Sequence, residues 1–271
     1  MEASRIILAS MQHQIIIIGG GNMGGAIAQR LHRAEGFTVG VIEQDAARRE
    51  ACAASGVHAH ATLTQAPQAD IYLLAIKPQQ FADYASELKT AFGDRTPLLV
   101  SIMAGVPLAA LQKVSTKAIR VMPNLPAIIN ESMSVLCAPT LDAPTRDVAE
   151  AMFASIGAVA WVEDEEQLHV VTAISGSGPG YVFAFMEALQ AAAVAQDLSP
   201  QLARRLVTQT LRGAALLADQ SSDGSAALRQ QVTSKGGTTE AALNIFAEGN
   251  LLEMVNKAVA AAALRSRQLA E

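Results

Sequence analysis

A chain of 271 residues in which 51% are hydrophobic can bury one large core or two modest ones. Only 17% of the residues are charged, the formal net charge is −5, and no basic run stands out, so nucleic acid is excluded as the expected main partner. No apolar stretch reaches membrane-spanning length, which removes the membrane as a partner.

The N-terminal "MEASRIILASMQHQ" carries an apolar run too short for a signal peptide. Residues 1–13 read as a frayed extension, and Met11 is an alternative start. Cys52 and Cys137 lie far apart without metal-type spacing, so idle thiols in a reducing cytoplasm are expected.

From there strand-like and helix-like segments alternate. "QIIIIG" (14–19) reads as a fully buried strand and "MGGAIAQRLHRA" (23–34) as a helix. "FTVGVIE" (37–43) is a second strand, and "QDAARREACAASG" (44–56) a helix stopped by Gly56. "DIYLLAIK" (70–77) is a third strand, followed by a turn at Pro78 and the helix 79–92. Further strands are expected in 96–105, 117–123 and 132–139. Such alternation, with nearly continuous apolar strands, predicts an α/β domain with a parallel sheet covered on both faces, over 14–162. From Glu163 strand signals vanish, and helices are expected in 165–174, 181–196, 200–220, 240–249 and 252–269. Residues 163–271 therefore read as a second, all-α domain. Its last helices are rich in alanine and apolar residues, which suits packing against another subunit as well as packing within the chain.

The stretch "IIIIGGGNMGGAIA" carries the first chemistry. Gly19-x-Gly21-x-x-Gly24 follows a strand and opens a helix, the order that a dinucleotide loop requires. Gly19 permits the tight turn, Gly21 the approach of a pyrophosphate, and Gly24 close packing of helix on strand. Residues Gly19, Gly20, Gly21, Asn22, Met23 and Gly24 then hold phosphates with helix-start amides. Glu43 ends the second strand where a carboxylate bonds a ribose 2′-hydroxyl, which favours NADH. Arg48 and Arg49 follow closely and suit a 2′-phosphate, so NADH and NADPH both remain open. Lys77, at the carboxyl end of the third strand, is as well read as a surface lysine as a cofactor neighbour. "SIMAG" (101–105) should approach the nicotinamide end by the same placement.

In the helical half "VTSKGGTTEAALNIF" (232–246) sets two glycines and two threonines before a helix. That suits a carboxylate site, although locally an ordinary N-cap through Thr238 or Thr239 is the simpler reading. "ISGSGPGY" (174–181) is a second glycine-rich link. His13, His32, His58, His60 and His169 are scattered, His169 reading as structural. No Ser-His-Asp set, carboxylate pair or metal cluster emerges. Hydride transfer to an iminium needs little acid catalysis, so the missing general acid suits an imine better than a ketone.

"IIGGGNMGGAIA", "AIKPQ", "RVMPNLPA", "TAISGSGPGYVF" and "VTSKGGTTEAAL", in this order and spacing, resemble the pyrroline-5-carboxylate reductase family from Gln12 to the end. The resemblance implies a Rossmann-type NAD(P)-binding domain and a helical substrate and dimerisation domain. It also implies a homodimer, often assembled into a decamer, and reduction of L-1-pyrroline-5-carboxylate to L-proline by NADPH or NADH. Carried over by position, Gly19–Gly24 bind the pyrophosphate, Ala75, Lys77 and Pro78 line the cofactor, and Ala104 lies near the nicotinamide. Glu165, Ser234, Gly237, Thr238 and Thr239 line the substrate pocket. Thr239 is the catalytic candidate, its hydroxyl partnering the ring nitrogen; this replaces the bare cap. The departures are Leu125 for threonine, Gly180 for alanine, Lys235 for proline, and Met103 for a small residue. They bear on cofactor contacts and on charge at the pocket mouth. A β-hydroxyacid dehydrogenase would want a lysine after the 174–181 link, and none occurs before Lys235. A non-catalytic NAD(P) sensor would not need the "GGTT" segment.

Overall fold

The computed structural model describes residues 12–270, so the expected 1–13 extension and the Met11 start lie almost wholly outside the described residues. By compactness the chain forms two units. One runs through Ser177 and takes back 262–271; the other is Gly178–Ala261.

The first unit holds β1 (His13–Ile18), β2 (Phe37–Ile42), β3 (His58–His60), β4 (Ile71–Leu74), β5 (Leu98–Ser101), β6 (Ala118–Met122), β7 (Ser132–Cys137) and β8 (Gly157–Val162). They form one sheet in the order β3-β2-β1-β4-β5-β6-β7-β8. Its helices are α1 (Asn22–His32), α2 (Ala46–Ala54), α3 (Phe81–Phe92), α4 (Leu108–Gln112), α5 (Ala143–Ala154) and α6 (Gln167–Val171). The four isoleucines of β1 explain its central place. Ile15 and Ile17 enter the core on one face, Ile16 and Ile18 the core on the other, and all four are fully buried. Two flanking layers of apolar residues are what a parallel sheet of this kind needs.

The expected purely parallel sheet needs correction at one place. Pairing is parallel throughout except between β6 and β7, which run antiparallel. Their connection, 123–131, is too short for a parallel crossover and makes a single turn of 3₁₀ helix over Leu125–Ile129. Strands β3 and β8 and helices α4 and α5 also add to the expected set. A π turn, Thr172–Gly176, interrupts the helix expected over 165–174.

The expected boundary at Glu163 differs from the compact one. Leu168 of α6 belongs to the buried core of the sheet, so the chain leaves the α/β unit only after the π turn. The second unit holds α7 (Gly178–Ala195), α8 (Pro200–Gln220), α9 (Ser225–Gln231), α10 (Thr238–Glu248) and most of α11 (Leu251–Gln268). Pro200 at the first helical position and the Ser199 hydroxyl, accepting from Leu202 N–H, start α8 where the sequence predicts. No described helix is long and apolar enough to cross a membrane.

Candidate functional site

The chain runs from β1 outward to β3 and then returns to β4 on the other side of β1, so β1 and β4 flank the topological switch. Ligands of open α/β sheets bind beyond the carboxyl ends of the strands at that point. Gly19 leaves β1 there with φ 105°, a conformation that L side chains rarely adopt. A β-carbon on it would lie 2.5 Å from the Ala75 carbonyl oxygen. One on Gly24 would collide with the Gly19 carbonyl and stand 2.9 Å from Ala75 Cβ. Gly21, the residue that caps α1, is the opposite case: a β-carbon there would meet nothing within 4 Å. Two glycines are thus required by the protein's own packing. The third leaves open space at a helix start whose amides lack intrahelical acceptors, a cradle suited to a pyrophosphate.

The other cofactor candidates arrive at the same edge. Ala75, Lys77 and Pro78 follow β4, and Lys77 is exposed with its N–H donating to Gln80 Oε1 at 3.2 Å. Ala104 is exposed in the turn after β5. Met103, by contrast, is buried in the core beneath that edge, so this departure from the family pattern fills the core. A cleft of ≈ 420 Å³ opens on Gly20, Gly21 and Asn22, with Arg48, Cys52 and Ile128 in its walls. A second cavity, ≈ 570 Å³, lies at the opposite, amino-terminal ends of the strands beside His13, Asp70 and Arg95. Pro144 and Thr145 of the α5 start line it, but it has no glycine loop, and the switch-point rule favours the first.

Glu43 is only 8% exposed and its carboxylate is already engaged. Gly20 N–H donates to Oε2 and Asp45 N–H to Oε1, both at 2.9 Å. Burial and the Glu43 charge together raise the Cys52 thiol, so it stays protonated and unreactive at neutral pH. Both cysteines are buried and free.

Glu165 sits in the α/β unit. Its Oε1 accepts from Arg120 Nη1 at 2.6 Å and from Leu108 N–H at 2.7 Å, tying β6, α4 and the approach to α6 together. Arg120 went unnoticed in the sequence, although it stands inside the quoted "RVMPNLPA". So did Asn124, whose amide donates to Ser175 O at 3.2 Å while its Oδ1 accepts from Met133 N–H at 3.0 Å. This bond locks the "RVMPN" segment to the π turn of the "TAISG" segment. His169 accepts its structural reading: it is buried and pairs with Ser266 Oγ at 2.9 Å.

In the helical unit Ser234, Gly237, Thr238 and Thr239 come together at the start of α10. The cap is Gly237, with no side-chain cap bond, so neither threonine hydroxyl serves as the ordinary cap that the local sequence suggests. A β-carbon on Gly237 would displace the Ser234 hydroxyl and stand 3.0 Å from the Ser234 carbonyl oxygen. Gly236, at φ 72°, turns its N–H to Glu240 Oε2 at 2.7 Å. The amides of Thr238 and Thr239 remain without intrahelical acceptors and can take an anion. Lys235 is exposed beside them.

Two family models match the chain. "Pyrroline-5-carboxylate reductase dimerisation" covers residues 165–269, and "NADP oxidoreductase coenzyme F420-dependent" covers 14–105. The pyrroline-5-carboxylate reductase of Haemophilus influenzae is 36% identical over 269 residues, spanning 96% of this chain and 98% of that protein. The protein belongs to the pyrroline-5-carboxylate reductase family. Among solved structures, the reductase of Coxiella burnetii superposes with a TM-score of 0.89 at 35% identity, covering 96% of this chain and 99% of that one. The Plasmodium falciparum reductase, solved with NADP bound, gives 0.83 at 25% identity over 96% and 100% of the two chains. Membership makes the helical half a dimerisation module, and its surface agrees. Of residues 178–261 only Ala203 and Val207 are buried, while Phe183, Ile245 and Leu252 stand exposed.

Proposed function

We infer that the protein is an NAD(P)H-dependent reductase that converts L-1-pyrroline-5-carboxylate to L-proline, the last step of proline synthesis. The observation that carries this reading is the uncapped start of α10, where two threonines and free amides stand ready in a chain that also bears a dinucleotide loop. A bound reduced nicotinamide supplies the hydride for the C=N carbon. The chain's own work is to hold and orient. Gly21, Asn22 and Met23 offer main-chain N–H groups to the pyrophosphate between Gly19 and Gly24, while Gly20 shapes the loop with its own N–H held by Glu43. Ala75, Lys77, Pro78 and Ala104 border the cofactor along the strand ends. The Thr238 and Thr239 amides, with Ser234 and Gly237 shaping the turn, receive the substrate carboxylate. The Thr239 hydroxyl partners the ring nitrogen. Glu165, bonded to Arg120 and to the α4 start, is the further substrate-pocket candidate that the family resemblance implies.

The exposed apolar faces of α7, α10 and α11 support a homodimer; further assembly into a decamer rests on family resemblance and is testable by light scattering. The free, buried thiols suit a cytoplasmic setting. The deciding assay compares oxidation of NADH and NADPH by pyrroline-5-carboxylate with reduction of NAD+ and NADP+ by 3-hydroxy acids. Turnover of the imine alone is expected. Turnover of hydroxy acids would replace this reading, and cofactor binding without any turnover would make the protein a sensor.

A further inference from the structure

We propose that Glu43 makes this enzyme prefer NADH, by presenting a fixed negative charge where the 2′-phosphate of NADPH would have to lie. The inference rests on the reading that the glycine loop takes a nicotinamide dinucleotide.

Three features carry it. First, Glu43 follows β2, at the strand end where Rossmann-type folds meet the adenosine ribose. Second, the carboxylate cannot swing aside. It is held against the glycine loop by Gly20 N–H and against the start of α2 by Asp45 N–H, and it is nearly buried. Each oxygen keeps a lone pair for a ribose hydroxyl, whereas a phosphate dianion has no proton to offer it. Third, the two nearest cations already face groups of this same strand end. Arg49 Nη1 donates to the Glu43 and Gln44 carbonyls at 2.9 and 3.1 Å. Arg48 Nε stands 3.5 Å from Glu43 Oε2 and 3.9 Å from Asp45 Oδ1. Arg48 is also largely exposed, so it offsets the Glu43 charge weakly. Cys52 and Tyr84 both feel that charge, which raises their pKa values beyond the effect of burial.

Fluorescence titration of the purified protein with NADH and with NADPH reads the preference directly, without turnover. NADH is expected to bind about tenfold or more tightly, the scale of a like-charge contact that Arg48 offsets only in part. Glu43→Gln keeps an acceptor for Gly20 N–H and removes the charge, so NADPH affinity should rise and the ratio narrow. Arg48→Ala should leave the ratio within about twofold, as expected of an exposed pair. Equal or tighter binding of NADPH by the wild type overturns the proposal. So does an unchanged ratio in Glu43→Gln, or a selective loss of NADPH binding in Arg48→Ala. If Glu43→Gln fails to fold, the wild-type ratio and Arg48→Ala decide. NADPH preference with intact imine reduction would refute this inference alone. Binding of neither dinucleotide would refute it together with the reductase reading.

Discussion

The two units of this chain solve the burial problem differently. The α/β unit buries both faces of its sheet with its own helices, down to fully enclosed isoleucines in β1. The helical unit has five helical segments and buries only Ala203 and Val207. A helix gains most of its stability from packing an apolar face, so a unit that leaves these faces bare depends on a second chain. The first unit closes its core within one chain; the second leaves its apolar faces open to association.

The sharpest way to break this contrast is to change one residue in each unit. Phe183→Glu or Leu252→Glu, at side chains 56% and 75% exposed in the single chain, should shift the protein to monomers. A buried charge at an interface centre is expected to cost several kcal/mol, about 2–4 for a well-packed anchor. Sedimentation equilibrium checks this, and an unchanged mass would mean that these faces are not the interface. In the α/β unit, Arg120→Met removes the cation beside the part-exposed Glu165, which keeps the Leu108 N–H, and should cost about 1.5–3 kcal/mol in urea unfolding.

The glycine loop sharpens the comparison within one motif. Gly24→Val should destabilise the fold, because the new β-carbon strikes the Gly19 carbonyl. The β-carbon of Gly21→Val meets nothing within 4 Å, so its melting temperature should stay near wild type while NAD(P)H titration is lost. Retained titration would mean that the loop is only a turn.

A smaller effect concerns pH. Burial holds the His169 pKa below 6.5, its value in the unfolded chain. The folded state therefore prefers the neutral ring, and its contribution is complete above about pH 6.5. It is lost as the pH falls from there through the folded pKa, because only the unfolded chain takes up the proton. His169→Gln should remove that limb of the stability–pH curve, measured by denaturant midpoints.

Much of this could be read from residues. The period-free apolar runs of β1, β2 and β4 mark buried parallel strands, and Ser199-Pro200 marks the α8 start without ambiguity. His58–His60 was invisible as a strand because three residues, two of them histidines, carry no apolar pattern. Edge strand β8, only half-buried, is apolar but built on alanines and lacks the run of branched residues that marks the central strands. The antiparallel turn-back before β7 depends on the shortness of 123–131, which hydropathy does not weigh. At the site, the glycines and threonines were legible because backbone chemistry restricts residue type there. Arg120, Asn124 and Ser175 were not, because their roles arise from bonds across 42 to 51 residues of chain.

The account stands or falls on Thr239, the one side chain asked to meet the reacting ring nitrogen. Steady-state reduction of pyrroline-5-carboxylate by Thr239→Ala, measured beside NADH and NADPH titrations of the same variant, separates substrate chemistry from cofactor binding. Turnover should fall on the order of 100-fold, as for a lost proton-handling group, with dinucleotide affinity unchanged. Wild-type turnover in that variant would contradict the assignment.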